Sequence, residues 1–593
     1  MEKGKLKVKA PAWDLDDLYK GLKDPAIKKD LTALRKEIDT FAHHYEGKVS
    51  TLSANDLATS IKEYESISEK LSRITSFSFL LFAQDMTHKE VGSFYQNIQE
   101  DVTQLSTTLI FYSLELNQID ENELKEKFTQ SAALATYKPW IENLRIFKDH
   151  QLNKDLEQAF HEMSVPAVNN WVRLYDETFA SMKFPWDGKD LPISEIMDFF
   201  TSPDEAVRQK AAIVFGEKLK ENASLFTLIF NTLSKEKQIQ DKWRHYPKPV
   251  SSRNLVNCVE DEVVSTLLNS VQKKYPELSH RYYKLKAKWL NKDKLNYWDR
   301  NAPLPNDTQK HYSWDEAQEI VLDAYHKFSP EMATIGRQFF EKNWIDAELR
   351  PGKDNGAFSH PTVPSAHPYI LQNYHGKIWD VMTLAHELGH GIHQVLAAKQ
   401  GYLMADTPLT LAETASIFGE MLTFQSLLDQ TTNKEEKKIL LAGKVGDMLN
   451  TIVRQISFSQ FEHAFHQARQ EKELTTEEIN DLWMKTQQDS LGPCVILKGN
   501  YVYHWMYISH FFHVPFYVYA YAFGNCLVNS LYATYQEGLP NFQEKYITML
   551  QSGGTLHHTE LLKPFKLNAS KADFWDQGLN LVSHFIDELE DLS

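Results

Sequence analysis

The run His386-Glu387-Leu388-Gly389-His390 reads HELGH, an instance of the H-E-x-x-H pattern. Residues four apart on an α-helix are separated by about 6 Å along the axis and share nearly the same face, so both imidazoles can reach one metal ion. Zinc accepts histidine nitrogen at about 2.0–2.1 Å, and two ligands on one helix leave part of its tetrahedron open. Glu387 follows the first ligand and can act as general base toward a water on the metal. The motif therefore predicts one zinc ion per chain and a hydrolytic site.

The residues around the motif predict that it lies on a helix. Apolar residues form a stripe at helical spacing: Val381, Leu384, Ala385, Leu388, Ile392, Val395 and Leu396. Asp380 is the candidate cap ahead of this stripe. His393 lies one turn after His390, where it could support a ligand of the metal or could be a buried structural histidine.

The third ligand decides the subclass of zinc site. A metzincin needs a histidine six residues after the second ligand, and this position is Leu396, so that class is excluded. The alternative is a glutamate from a later helix, and the segment LAETASIFGE supplies Glu413 and Glu420. Thr410 and Glu413 also have the spacing of a capping box, so the Glu413 carboxylate could instead satisfy a helix N-terminus.

Several segments together resemble the oligoendopeptidase F branch of the thimet oligopeptidase- and neurolysin-like zinc peptidases. The main matches are Thr383–Gly391 (TLAHELGHG), Glu413–Ser416 (ETAS) and Tyr517–Tyr521 (YVYAY), supported by Trp13–Tyr19, Gly356–Phe358, His367–Tyr369 and Asn373–Tyr374. The resemblance covers nearly the whole chain and implies that His386, His390 and Glu413 hold the metal. It implies for Glu420 a role beside a ligand or the substrate.

An aromatic cluster near the C-terminus contains two histidines, His510 and His513, followed by three alternating tyrosines, Tyr517, Tyr519 and Tyr521. Phenol O–H and imidazole N–H groups suit the stabilisation of an oxyanion, and the resemblance implies such donors in this region. The first candidates are His510, Tyr517 and Tyr521, followed by His513 and Tyr519. The alternative is an aromatic element that packs into the core.

Composition limits the class of protein. The chain has 593 residues and a formal net charge of -16, which argues against binding to nucleic acid or to anionic membrane surfaces. No run approaches the ~18 apolar residues of a membrane-spanning helix, and the basic start lacks the apolar region of a signal peptide. Only Cys258, Cys494 and Cys526 occur, too few for a disulfide framework. These features predict a soluble, cytoplasmic protein.

The elements that must position the site are mostly helices. Ser53 precedes a helical stripe, and capping boxes occur at Ser313 with Glu316 and at Thr475 with Glu478. Breaks are predicted at 301–307 and 350–368, and Tyr369–Tyr374 is the best strand candidate. Prolines and glycines near residues 186–203 favour a boundary at about residue 200. We therefore predict an N-terminal helical lobe, 1–200, and a catalytic lobe, 201–593.

The resemblance implies a mostly α, two-lobed zincin with a deep central channel and a small β-sheet flanking the zinc helix. The reaction it implies is zinc-dependent endo-hydrolysis of short unstructured oligopeptides. Two alternatives stay open: a helical zinc carboxypeptidase, and an inactive peptide-binding protein. Whether the chain is a monomer or a small homo-oligomer, and whether cobalt or manganese replaces zinc, are also open.

Overall fold

In the computed structural model, which describes residues 10–305 and 310–593, the chain forms two compact units. Among the described residues, the first unit consists of 10–148, 310–430 and 538–566, and the second of 149–305, 431–537 and 567–593. Each unit is therefore assembled from three stretches of the chain. The division predicted between residues 1–200 and 201–593 stays a prediction. The basic start of the chain, residues 1–9, and the end of the break predicted at 301–307 lie outside the described residues.

The first two stretches of the chain are helical apart from three short strands. In the first unit they supply α1 (Pro25–Tyr45), α2 (Ala54–Gln84), α3 (Lys89–Thr107), α4 (Ile110–Gln118), α5 (Glu121–Gln130), α6 (Ala132–Thr136) and α7 (Lys138–Arg145). In the second unit they supply α8 (Lys154–Ser164), α9 (Asn170–Ser181), β1 (Phe184–Trp186), β2 (Lys189–Leu191), α10 (Ile193–Asp198), α11 (Glu205–Glu221), α12 (Ala223–Trp243), α13 (Ser251–Val256), α14 (Asp261–Lys274), α15 (Arg281–Trp289) and β3 (Leu295–Asn296).

The chain then returns to the first unit and alternates between the two units until its end. The first unit gains α16 (Trp314–Phe328), α17 (Pro330–Glu341), β4 (Ile345–Asp346), β5 (Phe358–His360), β6 (Tyr369–Leu371), α18 (Ile378–Ala397), α19 (Tyr402–Ala405), α20 (Leu409–Ala412) and α21 (Thr414–Gln430). The second unit gains α22 (Lys434–Leu449), α23 (Gln455–Glu471), α24 (Thr476–Leu491), β7 (Val495–Ile496), α25 (His510–His513) and α26 (Tyr519–Gln536). The last helices are α27 (Phe542–Gln551) and α28 (His558–Leu562) of the first unit and α29 (Ala572–Asp591) of the second.

Short 3₁₀ and π segments connect or extend these helices. The 3₁₀ segments are Val49–Thr51, Lys148–His150, Phe199–Thr201, Tyr297–Asp299, Ala398–Gln400, Gly499–Tyr507 and Lys563–Phe565, and the π segments are Val165–Asn169, Pro276–His280 and Asn450–Arg454.

The strands of the described residues form three small sheets. β1 pairs with β2 in an antiparallel hairpin, and β3 pairs with β7 in parallel. The third sheet lies in the first unit in the order β4-β6-β5, with β6 parallel to β4 and antiparallel to β5. β5 is therefore an edge strand, and it packs against α18. This is the small sheet that the resemblance implies beside the HELGH helix.

Local signals in the sequence account for the ends of several helices. The Ser53 side chain accepts a hydrogen bond from the Asp56 N–H at the start of α2. Both predicted capping boxes are present, at Ser313 with Glu316 and at Thr475 with Glu478. These side chains satisfy backbone N–H groups that the first turn of a helix leaves free.

Two local predictions were wrong in detail. α18 begins at Ile378 with Lys377 as its cap, so Asp380 lies in the first turn and not at the cap position. Its carboxylate accepts hydrogen bonds from the N–H groups of His375 and Lys377. The predicted strand Tyr369–Tyr374 is present only as β6, Tyr369–Leu371, because β4 and β5 offer partners over just this length.

The mostly helical fold class is confirmed, and a channel between two lobes stays a prediction.

All three cysteines carry free thiols. Within the described ranges, no helix combines the length and the apolar character that crossing a membrane requires.

Candidate metal centre

The two histidines of the motif lie on α18, one turn apart and on the same face. Their ring centroids are 5.0 Å apart, and both side chains are half-buried. The opposite face of α18 packs into the core of the first unit through Leu384, Leu388 and Ile392, which are fully buried. The apolar stripe of the sequence therefore directs the two imidazoles away from the core.

Three side-chain atoms come together where α18 meets the start of α21. Oε2 of Glu413 lies 3.4 Å from Nε2 of His386 and 3.5 Å from Nε2 of His390. Ligands bound at 2.0–2.1 Å in a tetrahedron are about 3.3–3.4 Å apart. Both distances to Glu413 match this spacing, and the three atoms all lie within 4.8 Å of one another, so the two nitrogens and the oxygen suit three of the four positions around a zinc ion.

The charges of the cluster favour a cation. Burial lowers the pKa of His386, but its hydrogen bond to Glu420 and the charges of Glu413 and Glu387 outweigh burial and raise it to about 9. Burial raises the pKa of Glu413, and the neighbouring His390 and His386 with Ser416 lower it to about 2. The carboxylates therefore stabilise positive charge at the point where the donor atoms converge.

A close approach of two helices brings Glu413 to the histidines. Gly389 faces the backbone of α21, where an added Cβ would lie 2.5 Å from the Ala415 oxygen and 2.7 Å from the Ser416 Cα. Only glycine allows this separation. Glu413 occupies the turn between α20 and α21, and Ser416 Oγ donates a hydrogen bond of 2.7 Å to its Oε2. Thr410 lies inside α20, so the alternative in which Thr410 starts a helix as its cap does not apply.

A second contact holds the same two helices. Tyr325 of α16 is fully buried, and its hydroxyl donates to the Ala385 carbonyl, 2.8 Å away, directly before His386. The same hydroxyl lies against Gly419 of α21, where any Cβ would collide with it. Tyr325 therefore fixes α18 and α21 together one turn away from the Gly389 contact.

Glu420 and Glu413 lie on different sides of the His386 ring. Oε2 of Glu420 is 3.4 Å from Nδ1, whereas Glu413 is next to Nε2. A carboxylate at Nδ1 accepts a hydrogen bond from the Nδ1–H and so leaves the Nε2 lone pair for a metal. The arrangement makes Glu420 a residue that orients His386, and Glu413 the candidate ligand.

Glu387 is buried beside the edge strand β5. Burial and the charge of Glu413 raise the pKa of its carboxyl group, and together they outweigh His386, His390 and a hydrogen bond from the Ser359 N–H, which lower it. Gln394, two turns further along α18, donates to the Ser359 carbonyl at 3.1 Å and accepts from Ser359 Oγ at 2.9 Å. Ser359 is thus bound through N–H, C=O and side chain by two residues of α18.

His393 is buried, unlike the two histidines before it. Burial and the charge of His390 lower the pKa of its imidazole to about 4, against a hydrogen bond to Ala412 that raises it. Its Nε2 lies 3.5 Å from Thr407 Oγ1. His393 is therefore a neutral side chain that connects α18 to the segment ahead of Glu413.

The aromatic cluster lies in the second unit, where three of its five members converge. Nε2 of His510 lies 3.2 Å from the Tyr521 hydroxyl, and the His510 ring stacks against Tyr517 at 5.5 Å. Tyr517 and Tyr521 are in contact at 5.4 Å, and all three side chains are half-buried. Burial and then the charge of His513 lower the pKa of His510, so its imidazole is neutral near pH 7. The three side chains therefore bring one imidazole and two phenol rings into mutual contact.

The other two members lie elsewhere in the second unit. Tyr519 is fully buried, and its hydroxyl donates to Asn254 Oδ1 and accepts from Asn257 Nδ2, both at 2.8 Å. His513 is exposed and pairs with Asp176 at 2.8 Å. Tyr519 and Tyr521 both lie on α26, where residues three or four apart share a face and residues two apart do not. Tyr519 therefore points away from Tyr521.

Sequence reasoning missed four residues that shape the first-unit centre: Tyr325, Ser359, Gln394 and Ser416. Gln394 lies seven residues after Glu387, a two-turn spacing that places both on one face of α18 and could have indicated it. Ser416 belongs to the ETAS segment, but no sequence pattern indicates its hydrogen bond to Glu413. Tyr325 and Ser359 are distant in sequence, and only the tertiary structure brings them to the centre.

Comparison with known proteins identifies the family of this chain. Residues 199–581 match the model of peptidase family M3, and residues 115–184 match a model described as Oligopeptidase F. Oligopeptidase PepF of Bacillus subtilis is 26% identical over 98% of this chain and 87% of its own length. Group B oligopeptidase PepB of Streptococcus agalactiae is 26% identical over 98% of this chain and 96% of its own length.

Solved structures share the fold. A chain from Chlamydophila abortus superposes with a TM-score of 0.86 at 24% identity and covers 98% of both chains. Oligoendopeptidase-F from Enterococcus faecium gives 0.71 at 20% identity, over 96% of this chain and 98% of its own. The family model spans well over half of the sequence, and the matched residues include the HELGH helix. The chain therefore belongs to peptidase family M3.

Proposed function

We propose that the chain is a zinc-dependent endopeptidase that hydrolyses short, unstructured oligopeptides. The observation that carries the proposal is the spacing of Nε2 of His386, Nε2 of His390 and Oε2 of Glu413, which suits a tetrahedral ion with one open position. The names of the relatives, oligopeptidase and oligoendopeptidase, support peptides as the substrate class.

In the proposed mechanism, His386, His390 and Glu413 hold the metal. A bound Zn²⁺ supplies Lewis acidity, which acidifies water and polarises a carbonyl group. Glu387 takes the proton from the attacking water and passes it to the leaving amine. Burial, which raises the pKa of Glu387, suits a group that must both accept and return a proton.

Other residues of the chain orient the groups that take part in this reaction. Glu420 holds the His386 ring through Nδ1, and the Ser359 N–H keeps the Glu387 carboxylate in place. We assign the stabilisation of the oxyanion to His510, Tyr517 and Tyr521, whose polar groups converge within the second unit. Tyr519 is a weaker candidate because Asn254 and Asn257 already engage its hydroxyl.

The test compares wild type with Glu387→Gln on an internally quenched peptide that is blocked at both ends, with the metal content of both proteins measured. Glu319→Gln, a substitution of the same kind at an exposed position of α16, is the matched control. We expect about one zinc per chain in all three proteins, with turnover lost only in Glu387→Gln.

Other outcomes separate the alternatives. Equal turnover in Glu387→Gln would show that the base is assigned wrongly. A carboxypeptidase would trim peptides with a free C-terminus and leave the blocked one intact. Peptide binding with no zinc and no turnover would favour the binding protein.

A further inference from the structure

A cavity of about 710 Å³ opens beside the metal centre of the first unit. Its walls are the second half of α18 from His390, with Ala398 directly after it, the segment 360–368 that begins at the last residue of β5, and residues 402–407 and 412 ahead of Glu413. Cavities that bind small ligands have volumes of about 300–1,000 Å³. Because His390 belongs both to this cavity and to the metal centre, a ligand in the cavity lies next to the metal ligands.

The segment 360–368 forms a rigid wall. Thr362 has a φ of 56°, a strained value for a β-branched residue, and its N–H donates to Nδ1 of His360 at 3.1 Å. Its Oγ1 donates to the His367 carbonyl at 2.7 Å. The His367 ring stacks on Trp344 at 3.8 Å and its Nε2 lies 2.9 Å from Asp17 Oδ2. The wall is therefore held in shape before any ligand enters.

The lining is mostly apolar and contains the carboxyl group of Asp406, whose pKa burial raises against a hydrogen bond from the Thr407 N–H that lowers it. Trp344, Val363, Tyr402 and Leu403 are among its apolar and aromatic members. Asp406 is the only carboxylate among the described lining residues, and none of these is a lysine or arginine. Burial lowers the pKa of His360 to about 4, so this lining imidazole is uncharged at neutral pH.

We propose that this cavity receives the substrate side chain next to the scissile bond, and that it selects large uncharged or cationic side chains over acidic ones. The inference rests on the proposed function, which places the scissile bond at the metal centre. A large apolar side chain gains free energy when these walls remove it from water. An acidic side chain meets the Asp406 carboxylate and finds no lysine or arginine among the described lining residues to pair with.

The experiment uses internally quenched peptides, blocked at both ends, that differ only in the residue before or only in the residue after the scissile bond. That residue is Phe, Lys or Glu, and mass spectrometry of the products verifies the bond that is cut. At one of the two positions we expect kcat/KM to be about tenfold lower for Glu than for Phe.

Two variants with the same change of charge make the test specific. Asp406→Lys should shift the ratio of kcat/KM for the Lys and Glu peptides by about tenfold or more in favour of Glu. Asp39→Lys, on the exposed face of α1, should keep the wild-type ratio. A ratio in Asp406→Lys within about twofold of wild type at both positions would overturn the inference.

Binding separates this inference from the proposed function. Affinities of the same peptides are measured by fluorescence anisotropy in Glu387→Gln, with and without Asp406→Lys, so that no hydrolysis is needed. A preference for Phe over Glu that Asp406→Lys removes would support the cavity even if wild type cut no peptide. Equal affinity for all three peptides would overturn the cavity inference while leaving peptide hydrolysis standing.

Discussion

Replacing Gly389 with alanine tests whether the contact between α18 and α21 positions the metal ligands. The added Cβ would lie 2.5 Å from the Ala415 oxygen, whereas ordinary contacts begin at 3.4 Å. The obstacle is backbone and cannot rotate away, so the helices must separate by about 0.9 Å, the difference between these distances. Glu413 lies two residues before Ala415 and would move with α21.

The size of this shift sets the expected result. Metal sites tolerate deviations of about 0.2 Å in ligand distance, so we expect zinc affinity to fall about 10- to 100-fold. Overpacking should also lower the free energy of unfolding of the metal-free protein by about 1–3 kcal/mol. Competition with a chromophoric chelator measures the affinity, and urea denaturation followed by circular dichroism measures the stability.

The matched control is Gly92→Ala at the end of the first turn of α3, also in the first unit. There the nearest atom to the added Cβ is a side-chain carbon of Phe82 at 3.7 Å, an ordinary contact. Alanine is a better helix former than glycine, so this control should keep zinc affinity and gain up to about 1 kcal/mol. If Gly389→Ala bound zinc as tightly as wild type, the reasoning that this helix contact sets the position of Glu413 would be refuted.

Three further predictions concern other contacts. Glu420→Gln should lower the pKa of His386 from about 9 toward its ordinary 6.5 in metal-free protein, as measured by NMR titration. Because the pKa of His386 is raised in the folded state, its protonation stabilises the fold fully below pH 6.5, and this stabilisation is lost as the pH rises through 9. The variant should therefore lose less stability than wild type across that interval. Tyr521→Phe should lower kcat by about 100- to 1,000-fold at similar KM, whereas Tyr519→Phe should keep kcat and lose about 1–3 kcal/mol of stability. Gln394→Leu should lower kcat about tenfold because Ser359, which orients Glu387, loses its support.

Each of these has an outcome that would contradict it. An unchanged titration of His386 in Glu420→Gln would remove the role of the Nδ1 contact. If Tyr519→Phe lost activity as Tyr521→Phe does, the choice between the two hydroxyls would be wrong. For Gln394, the variant Gln394→Glu keeps an acceptor for Ser359 Oγ, and a kcat no higher than that of Gln394→Leu would argue against the role in positioning.

The features that depend on residues close in the chain follow from the sequence alone. His386, Glu387 and His390 lie within one and a half turns, so their shared helix face follows from helical geometry and the apolar stripe. The capping boxes of α16 and α24 are likewise local, since three residues separate the partners. The mostly helical fold class also follows at this level, as does the prediction of a later glutamate as third ligand.

Apart from the family resemblance, only the tertiary structure distinguishes residues of the same type. Glu413 and Glu420 look alike in sequence, and they differ because α21 crosses α18 at Gly389 and so presents them to opposite nitrogens of His386. Tyr519 and Tyr521 differ in burial. Both lie on α26, which begins at Tyr519, and the helix turns the Tyr519 side chain into the core. Contacts between distant segments, such as Gln394 with Ser359, depend on how elements pack, and local patterns carry no information about packing partners.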